Sequence, residues 1–250
     1  MSLSVLRGEL KSNFKDFNSQ WKKELREVAS KHSSERKVFQ DSYTRVASIQ
    51  AWRTKVVAER MDDDSAAFFF EAQNDLLISH CLANCGSFRQ ALKSLRSCIE
   101  NVFSALYYMD HPVELHRWLQ GKYKIGFTEL HNYLASHPRL HGAGANVTGL
   151  PILQSEYATL SKAVHASAKH FRITTDLTDT KLWVKDVPSI RQWSTRERQV
   201  ITALNSLLLH MFANNLHGAK HRPLREMLAL VIPTARRAEI RRRLSVNIPH

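Results

Sequence analysis

The sequence predicts an all-α helical bundle, and three observations support this fold class. Apolar residues recur every three or four positions through most of the 250 residues. The chain holds only 8 Gly and 7 Pro, which is few for a fold built on tight turns. Strand-like composition is confined to 171–187, which would form at most one small β-hairpin.

Two long helices are predicted at the N-terminus. The first, 2–31, has apolar residues on one side, namely Leu3, Leu6, Leu10, Phe14, Phe17, Trp21, Leu25 and Val28. The sequence HSSER interrupts this pattern, and Ser33 or Ser34 is a suitable N-cap for a second helix over 35–60. We expect the two helices to pack against each other, so that 1–60 is an N-terminal helical hairpin with a basic polar face.

The middle of the chain, 61–170, is predicted to be the helical core. Its helices are expected at 65–84, 87–109, 113–121, 127–136 and 151–170. The motif MDDDS begins the first of these helices, because acidic residues stabilise a helix N-terminus, and Gly86 ends it. The glycine-containing segment 137–151 is predicted to be an exposed loop.

The last part of the chain, 171–250, is predicted to combine the β-hairpin with basic C-terminal helices. Helical periodicity resumes at about 189. Pro223 and Pro233 then begin two short helices, because proline is well tolerated in the first turn of a helix.

The formal net charge of +13 is concentrated in the two flanks. Residues 1–60 hold 13 Lys or Arg against 7 Asp or Glu, and residues 171–250 hold 14 against 6. Residues 61–170 are nearly neutral, with 9 against 10. Basic flanks predict contact with a polyanion such as nucleic acid, although exposed Lys and Arg also serve solubility alone.

Several classes of protein are disfavoured by the sequence. No apolar run reaches the length of a membrane span and no signal-peptide core is present, so we expect a cytoplasmic protein that does not contact membranes. Cys81, Cys85 and Cys98 are expected to be small core residues, and neither the His80 region nor the pair His217 and His221 offers a complete ligand set. No metal site and no cofactor is therefore predicted. The chain also lacks a Gly-rich phosphate loop, a GxSxG motif and a paired-carboxylate cleft.

A candidate catalytic constellation lies on two predicted helices. One helix has Arg89, Lys93, Arg96 and Glu100 at steps of four, three and four, and the other has Tyr157, Ser161 and His165 at steps of four. If the helices are neighbours, Arg96, Glu100 and His165 converge. An imidazole could then take a proton from an RNA 2′-hydroxyl while a guanidinium stabilises charge on phosphorus, without a metal ion. The same residues also fit a purely structural hydrogen-bond network.

The two helices resemble the HEPN superfamily, in its branch with LRSxxE and YxxLSxxxH helices. The resemblance covers about 65–170 and is carried by ALKSLRSCIENVFSALYYMDHPVE and EYATLSKAVHAS, through Leu95, Arg96, Ser97, Glu100, Tyr157, Leu160, Ser161 and His165. It implies a helical bundle, usually dimeric, and a metal-independent ribonuclease or toxin-type effector in antiviral (phage) defence. It also implies that His165 is the family histidine, with Arg96 and Glu100 facing it.

One part of the HEPN nuclease motif is missing. In that motif an arginine precedes the histidine on the same helix, whereas Ala158, Thr159 and Leu160 occupy those places before His165. Two hypotheses follow. Either Arg96 supplies the cation from another helix, or the chain is a non-catalytic nucleic-acid-binding or scaffold subunit of a larger defence complex. A third hypothesis is an assembly protein that oligomerises through 1–60.

Nucleic-acid contact is predicted at two places, with RNA favoured over DNA. The C-terminal helix is surrounded by Arg236, Arg237, Arg241, Arg242 and Arg243, and arginine binds phosphate through planar bidentate contacts. Arg89 and Lys93 are assigned the same role on the core. The alternative for the C-terminal helix is a solvated end of the chain. We also expect a homodimer or membership of a larger complex.

Overall fold

The computed structural model describes residues 2–141, 143, 145–164, 183–184 and 186–249. Within these residues the protein contains helices and no strand, which confirms the predicted all-α class. The expected β-hairpin at 171–187 and the end of the last core helix, 165–170, fall almost wholly outside the described residues.

Most helices begin and end close to their predicted bounds. The helix predicted over 35–60 is an exception, because a π-helical segment, Arg53–Val57, interrupts it after Trp52. The helices are α1 (Leu3–His32), α2 (Arg36–Trp52), α3 (Ala58–Arg60), α4 (Asp63–Asn84), α5 (Phe88–Asp110), α6 (Pro112–Leu119), α7 (Phe127–Ser136), α8 (Ala145–Thr148), α9 (Leu150–Val164), α10 (Val187–Met211), α11 (Arg222–Val231) and α12 (Thr234–Leu244). As predicted from MDDDS, Asp62 caps α4 by accepting the backbone N–H of Ser65 at 2.8 Å. The sequence signal at Asp62 therefore accounts for the start of α4.

The N-terminal helices are arranged differently from the expected hairpin. A 3-10 turn, Ser33–Glu35, joins α1 to α2, and α2 then packs in the core against α4, α10 and α11. The indole of Trp52 donates to Asn205 of α10 at 2.8 Å, and Asn205 donates to Ser48 at 2.9 Å. α2 therefore both packs against α10 and forms hydrogen bonds with it. The first half of α1, in contrast, remains exposed.

The core is built around α5 and α10. α5 follows α4 after a tight connection at Gly86, whose φ of 77° is the left-handed conformation that glycine adopts readily. α5 also contacts α9 and α10, and α9 contacts α10. The three helices enclose a continuous apolar cluster that includes Leu95, Val102 and Leu204, all with no exposed surface. This packing brings the C-terminal half of α9 alongside the middle of α5.

Two expectations about individual segments are corrected. The segment 137–151 was expected to be an exposed loop, yet it contains α8, and Thr148, Gly149 and Leu150 are buried. Gly149 lies so close to α10 that a Cβ there would be 2.4 Å from the carbonyl oxygen of Ala203. Of the three cysteines expected in the core, Cys98 is buried, Cys85 is partly buried and Cys81 is exposed.

Candidate active site

Four of the five predicted catalytic residues meet where α5 crosses α9. The Nη2 of Arg96 donates to Glu100 Oε1 at 2.9 Å and to the hydroxyl of Tyr157, and the Nε of Arg96 donates to Ser161 Oγ at 3.1 Å. Tyr157 in turn donates its hydroxyl proton to Glu100 Oε1 at 2.7 Å. We call these four side chains the α5–α9 cluster. The i,i+4 spacing on each helix places both pairs on facing sides of the crossing.

An aromatic stack fixes the position of Tyr157. Its ring lies parallel to that of Phe127 on α7, with centroids 3.5 Å apart and an interplanar angle of 9°. The guanidinium carbon of Arg96 lies 4.6 Å from the centroid of the Tyr157 ring, which adds a cation–π contact. Phe127 was not identified as a site residue from the sequence, because its contact with α9 depends on the packing of α7.

The protonation state of the cluster follows from its environment. Partial burial raises the pKa of Tyr157 to about 12, and the hydrogen bond to Glu100 acts in the same direction, whereas Arg96 lowers it. At neutral pH the phenol is therefore protonated and acts as a donor to Glu100. Ser161 donates its own proton to the carbonyl of Tyr157 at 2.8 Å, so its lone pairs are directed at Arg96.

Solvent reaches the cluster. The side chain of Arg96 is 26% exposed and that of Glu100 is 34% exposed. Other residues of the LRS motif have packing roles, because Leu95 lies in the core and Ser97 faces Asp75 and Asn101 near α4. Arg96 and Glu100 therefore lie where an external ligand can approach.

His165, the fifth predicted catalytic residue, lies outside the described residues. The last residue of α9 that the structure describes is Val164, which directly precedes it. The structure brings Arg96 and Glu100 together with Tyr157 and Ser161. The convergence that was expected, of Arg96 and Glu100 with His165, stays a prediction.

The two basic residues predicted to bind nucleic acid on α5 differ in their contacts. The Nε of Arg89 donates to the carbonyl of Ala163 at 3.0 Å, and its Nη2 donates to that of Val164 at 3.2 Å. Arg89 therefore binds the carbonyls of the last two residues of α9 that the structure describes. Lys93 is partly exposed one turn further along α5.

Some of the five arginines of α12 form contacts within the chain, whereas others are exposed. The guanidinium of Arg237 donates to backbone carbonyls of Ala229, Ile232 and Pro249, which ties α12 to the residues before and after it. Arg243 pairs with Glu239 at 2.9 Å and donates to the carbonyl of Ala143. Arg236 is partly exposed, and Arg241 and Arg242 are exposed. Arg241 and Arg242 are thus the side chains of this helix that present charge most openly.

A second arginine–carboxylate cluster is buried between α2, α4 and α10. The Nε of Arg45 lies 2.6 Å from Glu197 Oε2, and Ser42 Oγ donates to Glu197 Oε1 at 3.1 Å and lies 3.0 Å from His80 Nδ1. We call these four residues the buried cluster. Burial raises the pKa of Glu197 to about 7, although Arg45 and Ser42 lower it. The sequence held a signal for this cluster, since Glu197 falls on the apolar side of α10 with Trp193 and Leu204.

The described residues contain no group of three His, Cys, Asp or Glu side chains that could hold a metal ion. His80 bonds to Ser42 rather than facing a ligand set with the cysteines. His217 is exposed, whereas His221 is buried with its Nε2 3.1 Å from the carbonyl oxygen of Lys55. In the same part of the chain, no helix has the length and apolarity needed to cross a membrane.

Comparison of the chain with protein-family models, with curated proteins and with solved structures found no match.

Proposed function

We propose that this protein is a HEPN-like ribonuclease that cleaves RNA without a metal ion at the α5–α9 cluster, together with His165. The observation that carries the proposal is the convergence of Arg96 and Glu100 with Tyr157 and Ser161. These residues come from two helices 57 to 65 positions apart in the sequence, and they meet at a solvent-reachable crossing. The resemblance to the HEPN superfamily rests on the same residues.

The proposed reaction is attack of the RNA 2′-oxygen on the adjacent phosphorus. His165 takes the proton of the 2′-hydroxyl, the bond from phosphorus to the 5′-oxygen breaks, and that oxygen takes a proton from water. The products are a 2′,3′-cyclic phosphate and a 5′-hydroxyl. Arg96 stabilises the negative charge that builds on the phosphoryl oxygens, as positively charged side chains do in phosphoryl chemistry.

The other members of the cluster hold the guanidinium in place. Glu100, Tyr157 and Ser161 accept hydrogen bonds from two of its nitrogens, which limits its rotamers before RNA binds. Such preorganisation lowers the reorganisation that the reaction needs. Because Tyr157 stays protonated near neutral pH, the proposal assigns proton transfer to His165.

The test is cleavage of a fluorescent single-stranded RNA in EDTA. We expect wild-type protein to produce fragments that end in a cyclic phosphate. We expect His165→Ala and Arg96→Met to lose cleavage by at least about 100-fold, a typical contribution of one acid–base or charge-stabilising group. The same sequence made as DNA should stay intact, because it lacks the attacking hydroxyl.

Two matched controls accompany these variants. His116 is an exposed histidine on α6, and His116→Ala should leave cleavage unchanged. Arg222 forms an exposed i,i+4 ion pair with Glu226 on α11. Arg222→Met removes the same kind of ion pair as Arg96→Met, but away from the α5–α9 cluster, and should leave cleavage unchanged. Cleavage that requires a metal ion, or that survives in His165→Ala, would contradict the proposal.

A second candidate function, RNA binding without turnover, is supported by a different observation. Arg96 is already hydrogen-bonded to three partners within the chain, as in a structural network, whereas Arg241 and Arg242 are exposed. For this function we expect no cleavage and salt-sensitive binding. Arg241→Glu with Arg242→Glu should weaken binding and lower the salt slope by about 1 per lost phosphate contact. In that case His165→Ala should bind as wild type does.

A further inference from the structure

The N-terminal half of α1 displays an unusually large apolar stripe to solvent. The exposed fractions are 74% for Leu3, 41% for Leu6, 58% for Leu10, 67% for Phe14 and 53% for Phe17. Large apolar residues concentrated on one exposed face generally mark a contact surface. The stripe continues towards the core, where Trp21 and Leu25 are half-buried and Val28 is fully buried.

The spacing of the stripe is regular. Its positions are Leu3, Leu6, Leu10, Phe14, Phe17, Trp21, Leu25 and Val28, so that each of the first five recurs eleven residues later as an apolar residue. An eleven-residue repeat corresponds to about 3.67 residues per turn, the pattern of helices that pair with a slight right-handed supercoil. This repeat is suited to contact with a second helix that runs alongside α1.

Charged residues are sorted on the two flanks of the stripe. At about 98° per residue, the spacing that an eleven-residue repeat implies, one flank is basic and carries Arg7, Lys11, Lys15 and Lys22. The opposite flank is acidic and carries Glu9 and Asp16, with Glu24 following just beyond the exposed part of the stripe. Most of these side chains are exposed, so they are placed to contact a partner helix at the edges of an apolar seam.

The separation of basic and acidic residues on the two flanks of α1 favours a second copy of α1 as the partner and a parallel orientation of the two helices. In a parallel two-fold pair of identical helices, the right flank of one helix meets the left flank of the other, so the basic flank of α1 would meet the acidic flank of a second α1 on both sides. In an antiparallel pair, like flanks would meet, basic against basic and acidic against acidic. Charge complementarity across the seam sets orientation in helix pairs of this kind.

We propose that two copies of this chain associate through α1, as a parallel, in-register helix pair over residues 3–21. The paired segment is about 28 Å long at 1.5 Å per residue. The two-fold axis places each apolar residue opposite its own copy, as in an isologous interface. Trp21 already donates its indole N–H to Asn18 at 3.1 Å, so its ring can enter the seam with its polar atom satisfied.

The first test is the mass of the full-length protein in solution, measured without RNA by sedimentation equilibrium. We expect wild type to have twice the 28.7 kDa mass of one chain at micromolar concentration. Leu10→Asp with Phe14→Asp should weaken dimerisation by more than about tenfold, because carboxylates would be desolvated in the seam. A wild-type protein that remains monomeric would overturn the proposal.

A matched control separates loss of pairing from loss of folding. Leu230 on α11 is 68% exposed and lies outside the stripe, so Leu230→Asp should leave the mass unchanged. The melting temperature of dilute, monomeric protein should be similar in all variants, because the changed residues contact little of the core. A double variant that keeps the dimer mass of wild type would assign the interface to another surface.

The second test concerns orientation. With Cys81→Ser and Cys85→Ser as background, Leu3→Cys should form an intermolecular disulfide under mild oxidation, since a parallel pair places position 3 beside its copy. Ser19 lies on the side of α1 opposite the stripe, so Ser19→Cys should not. A dimer in which Leu3→Cys links to Trp21→Cys, and not to itself, would show an antiparallel pair and overturn the proposed arrangement.

Discussion

The α5–α9 cluster and the buried cluster use the same types of side chain and differ chiefly in burial. Each joins an arginine to a glutamate and includes a serine hydroxyl. In the buried cluster the side chains of Arg45 and Glu197 are 11% and 2% exposed, whereas those of Arg96 and Glu100 are 26% and 34% exposed. Water can therefore replace a lost partner in the α5–α9 cluster, and it cannot do so around Glu197.

The comparison indicates that burial, rather than residue type, decides what such a cluster does. A desolvated carboxylate depends on its arginine for stability, and removing one partner leaves an uncompensated charge. A solvent-reachable pair contributes little to stability, so its arginine can serve a ligand. Four predictions test this contrast, beginning with the largest expected effect.

Removal of the arginine should separate the two clusters most clearly. At pH 8, above the folded-state pKa of Glu197, we expect Arg45→Met to lower the free energy of unfolding by about 3–5 kcal/mol, because the buried carboxylate would lose the guanidinium that compensates its charge. Arg96→Met should cost about 1 kcal/mol or less, as exposed ion pairs do. Urea-induced unfolding of both variants measures the difference. Equal losses would mean that the α5–α9 cluster is as structural as the buried one.

The pH dependence of stability should be set in part by Glu197. Its pKa is about 7 in the folded protein against an ordinary value of 4.5. The folded state thus binds the proton more tightly, and the unfolding free energy contributed by this group falls as pH rises from 4.5 to 7. The loss is on the order of 3 kcal/mol at 1.36 kcal/mol per pH unit.

The matched variant for this prediction is Glu197→Gln, which keeps the shape of the side chain and does not titrate. Its unfolding free energy should lack the decline between pH 4.5 and 7 that wild type shows. Glu100→Gln, made in the α5–α9 cluster, should retain the wild-type decline. If the wild-type and Glu197→Gln curves run parallel, then the contacts with Arg45 and Ser42 offset the effect of burial, and the pKa of Glu197 is the same in the folded and unfolded states.

Removal of a hydroxyl should lower the free energy of unfolding by less than removal of the arginine does. The loss should again be larger in the buried cluster than in the α5–α9 cluster. Ser42→Ala removes the bridge between Glu197 and His80, so buried polar atoms lose a partner, at a cost of about 1–3 kcal/mol. Tyr157→Phe keeps the stack on Phe127 and removes one hydroxyl beside water, at a cost of about 1 kcal/mol or less. Thermal unfolding of the two variants gives the comparison, and the reverse order would contradict it.

Salt should produce the smallest difference. The coupling energy between Arg96 and Glu100, from a double-mutant cycle, should be a few tenths of a kcal/mol and should shrink as salt is raised. The coupling between Arg45 and Glu197 should change little, because buried pairs are screened far less. A salt-insensitive coupling at Arg96 would indicate that the α5–α9 cluster is shielded from solvent.

Much of the site could be predicted because helix periodicity is a local property. The steps of four from Arg96 to Glu100 and from Tyr157 to Ser161 placed each pair on one helix face, and the crossing of α5 and α9 brings the pairs together. Phe127 and the carbonyl contacts of Arg89 and Arg237 could not be predicted in this way. They depend on where α7 lies and on where helices and neighbouring backbone segments end in space.

The sequence by itself determined where most described helices begin and end, because N-caps, prolines, Gly86 and apolar spacing act within a few residues of the chain. Only the tertiary structure decided which apolar faces are covered. α1 and α2 have similar stripes, yet α2 is matched in shape and hydrogen bonds to α10, while the first half of α1 stays exposed. The physical reason is that covering a face depends on contacts between residues far apart in the chain, such as Trp52 and Asn205, and the spacing within one helix does not encode them.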